Sequence, residues 1–346
     1  MLDDANILKQ RDPTDMLGSV SQMVEQLSWQ PTIISPENDG RVIENIVIAG
    51  MGGSALAAET LKTVASRQLH LPVEIVKDYQ LPNYVSTATL VITVSHSGNT
   101  EETLSCYHQA RNLQSQIAVI CGGGSLLARA KADSVAHVVI PTGAQPRMST
   151  TYHLKALLAV FNLFKILGDD IAQTISSKAD WLAEQIDSWH LGVPVHENYA
   201  KQLALLAAGK TPVIYGGPLT AALAYKWKIS WNENAKNTAF TNRYPEFNHN
   251  EFVGWSSHPV EKPFIIFDLV SSFESARIHE RMQLSDQLLS GLRPKANRID
   301  LQGDDLIAQC LWGTALADMT SIYVAILNGV RPEPVDLVEK LKTTLS

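Results

Sequence analysis

Cysteine is scarce in this chain and nowhere spaced for pairing. The three cysteines among 346 residues, Cys106, Cys121 and Cys310, are scattered and odd in number, and no CxxC or HExxH occurs. That excludes a disulfide framework and the usual zinc spacings, and points to reduced, buried thiols in the cytoplasm. Basic charge is in deficit, 28 Lys and Arg against 35 Asp and Glu for a net −7, with no basic run. Neither a nucleic-acid groove nor an anionic membrane patch is therefore expected. The start, Met1-Leu2-Asp3-Asp4-Ala5-Asn6, is acidic and lacks the hydrophobic core of a signal peptide. No apolar run approaches the ~18 residues that a membrane span needs. What is present, 45% apolar and 18% charged residues, is ample material for two globular domains of ordinary size.

Residues 1 to about 40 form an amphipathic helical lead-in (Met16, Val20, Met23, Val24, Leu27) ending in a turn region from Pro31 to Gly40. Short runs nearly continuous in apolar residues then alternate with helical patterns: strands at 45–50, 73–76, 90–94, 116–121 and 137–140. This alternation predicts a parallel sheet covered on both faces. A long helical stretch, about Thr151 to Trp189, separates it from a second unit. There Thr211 to Pro218 repeats the order of strand, glycine turn and helix, followed by a helix to about Asn234 and a polar loop. Strands at 263–270 and 296–301, a long apolar helix from Leu306 to Leu327, and a short helix from Val335 to Ser346 complete the pattern.

The chemistry gathers in a few stretches. Ser95-His96-Ser97-Gly98-Asn99-Thr100-Glu101-Glu102 lies where a strand hands over to a helix. Free backbone N–H groups and the positive end of the helix dipole make that an anion site, and hydroxyls add short donors fit for a phosphate. An ordinary N-cap at Ser97 or Thr100 is the competing reading. Gly50-Met51-Gly52-Gly53-Ser54 fails as a dinucleotide loop, because Ala55 stands where the third glycine belongs. It fits a phosphate or sugar contact, with Gly53 allowing close approach and Ser54 supplying a hydroxyl. Gln145-Pro146-Arg147 aims an arginine at a phosphate or an oxyanion, or else places it in a surface ion pair. Acid–base candidates come from Asn232-Glu233-Asn234-Ala235-Lys236 and Glu246-Phe247-Asn248-His249-Asn250-Glu251. Glu233 falls in the last turn of its helix, where the dipole disfavours a carboxylate. His249 lies between two asparagines able to fix its tautomer. Glu246 and Glu251 rival Glu233.

Together these stretches, with the terminal Leu341-Lys342-Thr343-Thr344-Leu345, resemble the bifunctional phosphoglucose/phosphomannose isomerases, built from two sugar-isomerase (SIS) domains. The resemblance runs in order from about residue 42 to the end. It rests most on the Asn-Glu and Asn-His-Asn-Glu motifs, with Glu233 and His249 sixteen positions apart. It implies an α/β fold of two SIS domains, each a parallel doubly wound sheet flanked by helices. The implied boundaries are a lead-in at 1–41, the first domain at 42–165, a helical connection at 166–200, the second domain at 201–330, and a C-terminal helix at 331–346 closing the active site. It further implies that Gly53, Ser54, Ser95, Ser97 and Thr100 hold the phosphate of a hexose 6-phosphate. Glu233 would move the proton between C2 and C1, and Arg147 would stabilise the cis-enediolate. His249, supplied across the interface of a homodimer, and Lys342 would open the ring, with Lys340 the rival for the lysine role. No metal or other cofactor is implied. His96 departs from the family, which carries Tyr between the serines.

The chemistry agrees with this carry-over. Aldose–ketose isomerisation needs a carboxylate, a cation for the enediolate, an acid–base group at the ring oxygen and a phosphate anchor. Two other readings remain open. A non-catalytic SIS sugar-phosphate sensor would need the hydroxyl loop alone, and an isomerase for an amino-sugar phosphate would use a related site.

Overall fold

The computed structural model describes residues 1–36, 38–257 and 263–345. It divides into two compact units, Met23–Asp180 and a unit formed by Met1–Gln22 with Trp181–Ser346, so the 1–41 lead-in is shared between them.

In the Met23–Asp180 unit the strands are β1 (Ile33–Ile34), β2 (Asn45–Gly50), β3 (Val73–Val76), β4 (Thr89–Ser95), β5 (Gln116–Cys121) and β6 (Ala136–Val139), in the order β1-β6-β5-β4-β2-β3. All neighbours are parallel except β1, which runs antiparallel to β6 at the edge. That edge strand comes from a segment expected as a turn; two isoleucines suffice for it. The continuous apolar runs of β2, β4 and β5 are buried on both faces, and each fully buried Val, Ile or Leu contributes about 1.5–3 kcal/mol. One face packs Val47, Val91 and Val119 with Cys106, Tyr107 and Leu126. The chain winds from β2 to β3 on one side and returns with β4 on the other. Ligands sit at such a switch, outside the carboxyl ends of the strands. Gly50 pairs with Val94, so the loops after β2 and β4 leave from adjacent strand ends.

The other unit carries β7 (Thr211–Gly216), β8 (Phe240–Arg243), β9 (Phe264–Val270) and β10 (Ala296–Asp300), parallel throughout, in the order β10-β9-β7-β8. The winding repeats that of β5-β4-β2-β3. Strand β8 falls in the stretch expected as a polar loop. It is an edge strand, half exposed and rich in Thr, Asn and Arg, and so lacks the apolar run of a central strand. The helical stretch expected from Thr151 to Trp189 is broken into Thr150–Leu163, Asp170–Ser177 and Ala179–Asp187, the first break lying beside Lys165 with φ +57°. The helix Leu306–Asn328 is long and apolar enough to span a membrane by composition, contrary to the expectation of no such run, but 89% of its apolar window is buried within the protein. Its Asp318 accepts from Lys226 at 2.7 Å and from Ser230 at 2.8 Å in the core. The terminal helix spans Asp336–Leu345; Ser346, expected to end it, lies outside the described residues.

Candidate functional site

Strand β4 ends at Ser95, and the helix Glu101–Asn112 begins six residues later. Thr100 occupies the N-cap position, yet its side chain makes no capping bond. Instead its Oγ1 lies 2.8 Å from Ser95 Oγ, and Ser95 Oγ also accepts from the Gly98 amide at 3.0 Å. Ser97 Oγ, at the exposed rim, accepts from the Asn99 amide at 3.2 Å. The hydroxyls thus tie the loop to itself and leave the helix N-terminus without a side-chain cap, so the simple N-cap reading fails. Gly98 has φ +72°, and a Cβ there would lie 1.8 Å from the Gly123 carbonyl oxygen; no side chain fits. The two loops are further bonded through Asn99 Oδ1, which accepts from the Ser125 amide at 2.9 Å.

The helix Gly52–Val64 starts directly after β2, again without a side-chain cap. A Cβ on Gly53 would lie 2.8 Å from the Pro146 carbonyl oxygen and 3.6 Å from Arg147 Cα. The glycine therefore admits the turn Pro146–Met148 onto the helix start. Arg147 is 2% exposed, so it is a buried residue and not a surface one. The structure brings Gly53, Ser54 and Arg147 together beside the hydroxyl loop.

Beneath them sits a pair of imidazoles. Ser54 Oγ is 3.3 Å from His153 Nε2, and His153 Nδ1 is 2.9 Å from the Ser149 carbonyl oxygen. The carbonyl can only accept, so Nδ1 carries the proton. Burial pushes His153 down to about 4, so the ring is neutral and Nε2 accepts from Ser54. His96 packs against it, ring centroids 5.6 Å apart, and burial lowers its pKa too. The unexpected residue between the serines is thus accommodated by an aromatic neighbour. Sequence reasoning missed His153. The available signal was its spacing of four from Ser149 on a helix, which lets a ring bond the preceding turn's carbonyl.

The other unit holds the acid–base residues. Glu233 is the last residue of the helix Ala221–Glu233 and is half-buried. Lys236, at φ +51°, donates to the Glu233 carbonyl at 2.6 Å and to the Pro332 carbonyl at 2.8 Å. An ammonium at a helix C-terminus opposes the dipole that disfavours the Glu233 carboxylate. Asn232 Oδ1 accepts from the Ala239 amide, and Asn234 donates to Ser321 Oγ, so the turn around Glu233 is held at both neighbours.

His249 ends the short turn Glu246–His249 and is exposed. The flanking asparagines do not hold it, contrary to expectation. Asn248 donates to Ser285 Oγ at 2.7 Å and accepts from Arg281, while Asn250 donates to Glu246 at 2.6 Å and caps the Glu251 amide. They hold the loop rather than the ring. Both Glu251 oxygens are taken, by the Tyr215 hydroxyl and by Asn242, and Glu246 is engaged by Asn250. Lys342 lies on the exposed terminal helix, 2.8 Å from Glu339. No residue of that helix is buried; Leu337, Leu341 and Leu345 are 84%, 60% and 64% exposed.

Residues 41–166 match the SIS domain family, and residues 196–345 match the family described as bacterial phospho-glucose isomerase C-terminal SIS domain. The chain is 35% identical to a bifunctional phosphoglucose/phosphomannose isomerase of Caldicellulosiruptor bescii, over 96% of this chain and 99% of the relative. It is 31% identical to the protein of the same description from Aquifex aeolicus, over 87% and 90%. A D-glucosamine-6-phosphate 4-epimerase of Sulfolobus acidocaldarius is 31% identical over 63% of this chain and 66% of its own. Among solved structures, the C-terminal domain of glucosamine-fructose-6-phosphate aminotransferase from Francisella tularensis superposes with a TM-score of 0.67 at 16% identity, covering 92% of this chain and 95% of that one. At that identity the likeness shows the fold.

Proposed function

The chain belongs to the bifunctional phosphoglucose/phosphomannose isomerase family, and we propose that it interconverts glucose 6-phosphate and mannose 6-phosphate with fructose 6-phosphate through a cis-enediolate. The observation that carries this reading is the contact of Gly53 with the Pro146–Arg147 backbone. It supports a role for the buried Arg147 next to the Gly53–Ser54 turn that would hold the phosphate.

In this mechanism Ser54, Ser95, Ser97, Thr100 and the helix amides bind the phosphate, and that remote binding energy positions the sugar. Glu233 takes the proton from one of C1 and C2 and returns it to the other, while Arg147 stabilises the charge that develops on the enediolate oxygens. The planar enediolate loses the C2 stereochemistry, so pocket space alone decides between glucose and mannose products. His249 of the partner subunit and Lys342 open the ring, Lys340 being the alternative lysine. The homodimer this requires is supported by the uncovered apolar face of the terminal helix, which would close the active site. We place the enzyme in the cytoplasm, in keeping with its three unpaired buried cysteines.

The deciding experiment is a coupled assay of EDTA-treated protein with fructose 6-phosphate, following both aldose products separately. Formation of both supports the dual-specificity mechanism. Glucose 6-phosphate alone narrows the pocket, and silence on both, in protein that still binds the sugar phosphate, rejects the reading. The similarity to the Sulfolobus 4-epimerase makes an amino-sugar phosphate the substrate to try next.

A further inference from the structure

We propose that His153 is a positioning residue of the phosphate site: it holds the Ser54 hydroxyl proton, so binding of a sugar-phosphate dianion takes up one proton from water. The inference rests on the reading that Ser54 contacts the phosphate, and it concerns a residue to which that reading gives no role.

The geometry is a three-member chain. The Ser149 carbonyl fixes the tautomer of His153 with the proton on Nδ1, at 2.9 Å, and Nε2 faces Ser54 Oγ at 3.3 Å. Ser149 is itself held, its amide bonded to the Pro146 carbonyl and its hydroxyl to the Gln145 carbonyl. The ring is fully buried and Ser54 is 6% exposed, so water is poorly placed to substitute for either partner. In the free protein the Ser54 hydrogen points at Nε2, and the oxygen turns only lone pairs outward. A phosphate dianion is acceptor-only, so in that state it meets Ser54 lone pair to lone pair.

The conflict resolves when a proton enters. Nε2 gains it, His153 donates to Ser54 Oγ, and the Ser54 hydrogen swings onto a phosphate oxygen. No covalent bond beyond this N–H forms, and the new imidazolium faces the dianion that induced it. His96, from the loop after β4, is the titratable group in electrostatic contact with His153 and disfavours its charge. The Gly52–Val64 helix presents Ser54, Arg147 lies in the turn leading into the His153 helix, and the Asp170–Ser177 helix meets that helix at Lys155 through Ser176. Burial holds free His153 neutral at pH 7, which is why the proton is taken up on binding and not beforehand.

The test is calorimetric titration with sorbitol 6-phosphate, a hexitol phosphate with no carbonyl to isomerise. It is run at pH 7.5, where the phosphate is mostly dianionic (second pKa about 6), in two buffers of different ionisation enthalpy. Wild type is expected to take up about one proton per site, with Kd rising up to about tenfold per pH unit. His153→Gln supplies an amide donor to Ser54 without a titratable proton; it should bind with about zero uptake and a flat Kd from pH 7 to 8. A wild type that takes up none, or a His153→Gln protein that takes up as many protons as wild type, overturns the proposal. Ser54→Ala separates the two levels of inference. If it binds as tightly as wild type, the phosphate reading of Ser54 fails; if it binds weakly while His153→Gln keeps the proton uptake, only the role of His153 fails. Should His153→Gln not fold, the wild-type pH dependence decides, a flat Kd overturning the proposal and a tenfold slope supporting it.

Discussion

After β4, Ser97 and Thr100 stand at a helix N-terminus that no side chain caps. After β9, which holds the corresponding place in the other sheet, the protein supplies its own anion. Glu274 Oε1 accepts from the Leu219 amide at 2.7 Å, at the head of the helix that follows β7, and burial raises its pKa while the Leu219 and Thr220 amides lower it. The nearby hydroxyls are committed as well: Ser271 donates to Gln309 at 2.6 Å, and Gln309 donates to Ser272 at 2.9 Å. One winding thus yields, in one unit, a helix N-terminus after β4 that no side chain caps and, in the other, a loop after β9 whose Glu274 carboxylate closes the start of the helix after β7. What separates ligand site from scaffold is whether local donors already have an acceptor.

The comparison breaks most severely at the proposed base of the closed unit. Glu233→Gln should lower kcat by about 10²–10⁴-fold, with Kd for sorbitol 6-phosphate nearly unchanged; near-normal turnover would shift the base to Glu246 or Glu251. Removing the internal anion, Glu274→Ala, leaves buried amides unsatisfied and should cost about 1–3 kcal/mol in chemical denaturation, without altering KM. A raised KM instead would mean that the closed unit also serves the phosphate. In the open unit, Thr100→Val should raise KM about tenfold with little change in kcat, as uniform phosphate binding predicts, and a kcat loss at constant KM would contradict that role.

The smallest effect concerns Asp268, buried in β9 and pushed up to about 7 by burial, with Arg293 opposing. Its folded pKa lies above the ordinary value near 3.8, so protonation favours the fold. The contribution is whole below about pH 4 and is lost as pH rises through about 7. The Tm of wild type relative to Asp268→Asn should therefore fall by a few degrees across that window, and a constant difference would place Asp268 outside the balance.

Much of this was legible along the chain. Strands β2, β4, β5, β7 and β9 are near-continuous apolar runs, and burial on both faces demands that pattern wherever it occurs. The hydroxyl loop announced itself by composition at a strand-to-helix junction. Strand β8 did not, because an edge strand with Thr241, Asn242 and Arg243 has no need of apolar residues. Nor did the break after Leu163, which depends on the conformation at Lys165.

Composition and periodicity thus determined the apolar central strands, the loops that follow them and the residue types able to handle a phosphate and a proton. These are local properties, set by neighbours within a turn or a strand. Only the tertiary structure decided that Arg147 is buried against Gly53, that His153 holds the Ser54 proton from 99 residues away, and that Glu274 reaches Leu219 across 55. The physical reason is that a donor or acceptor acquires its role from its partner, and here the partners lie far apart in sequence.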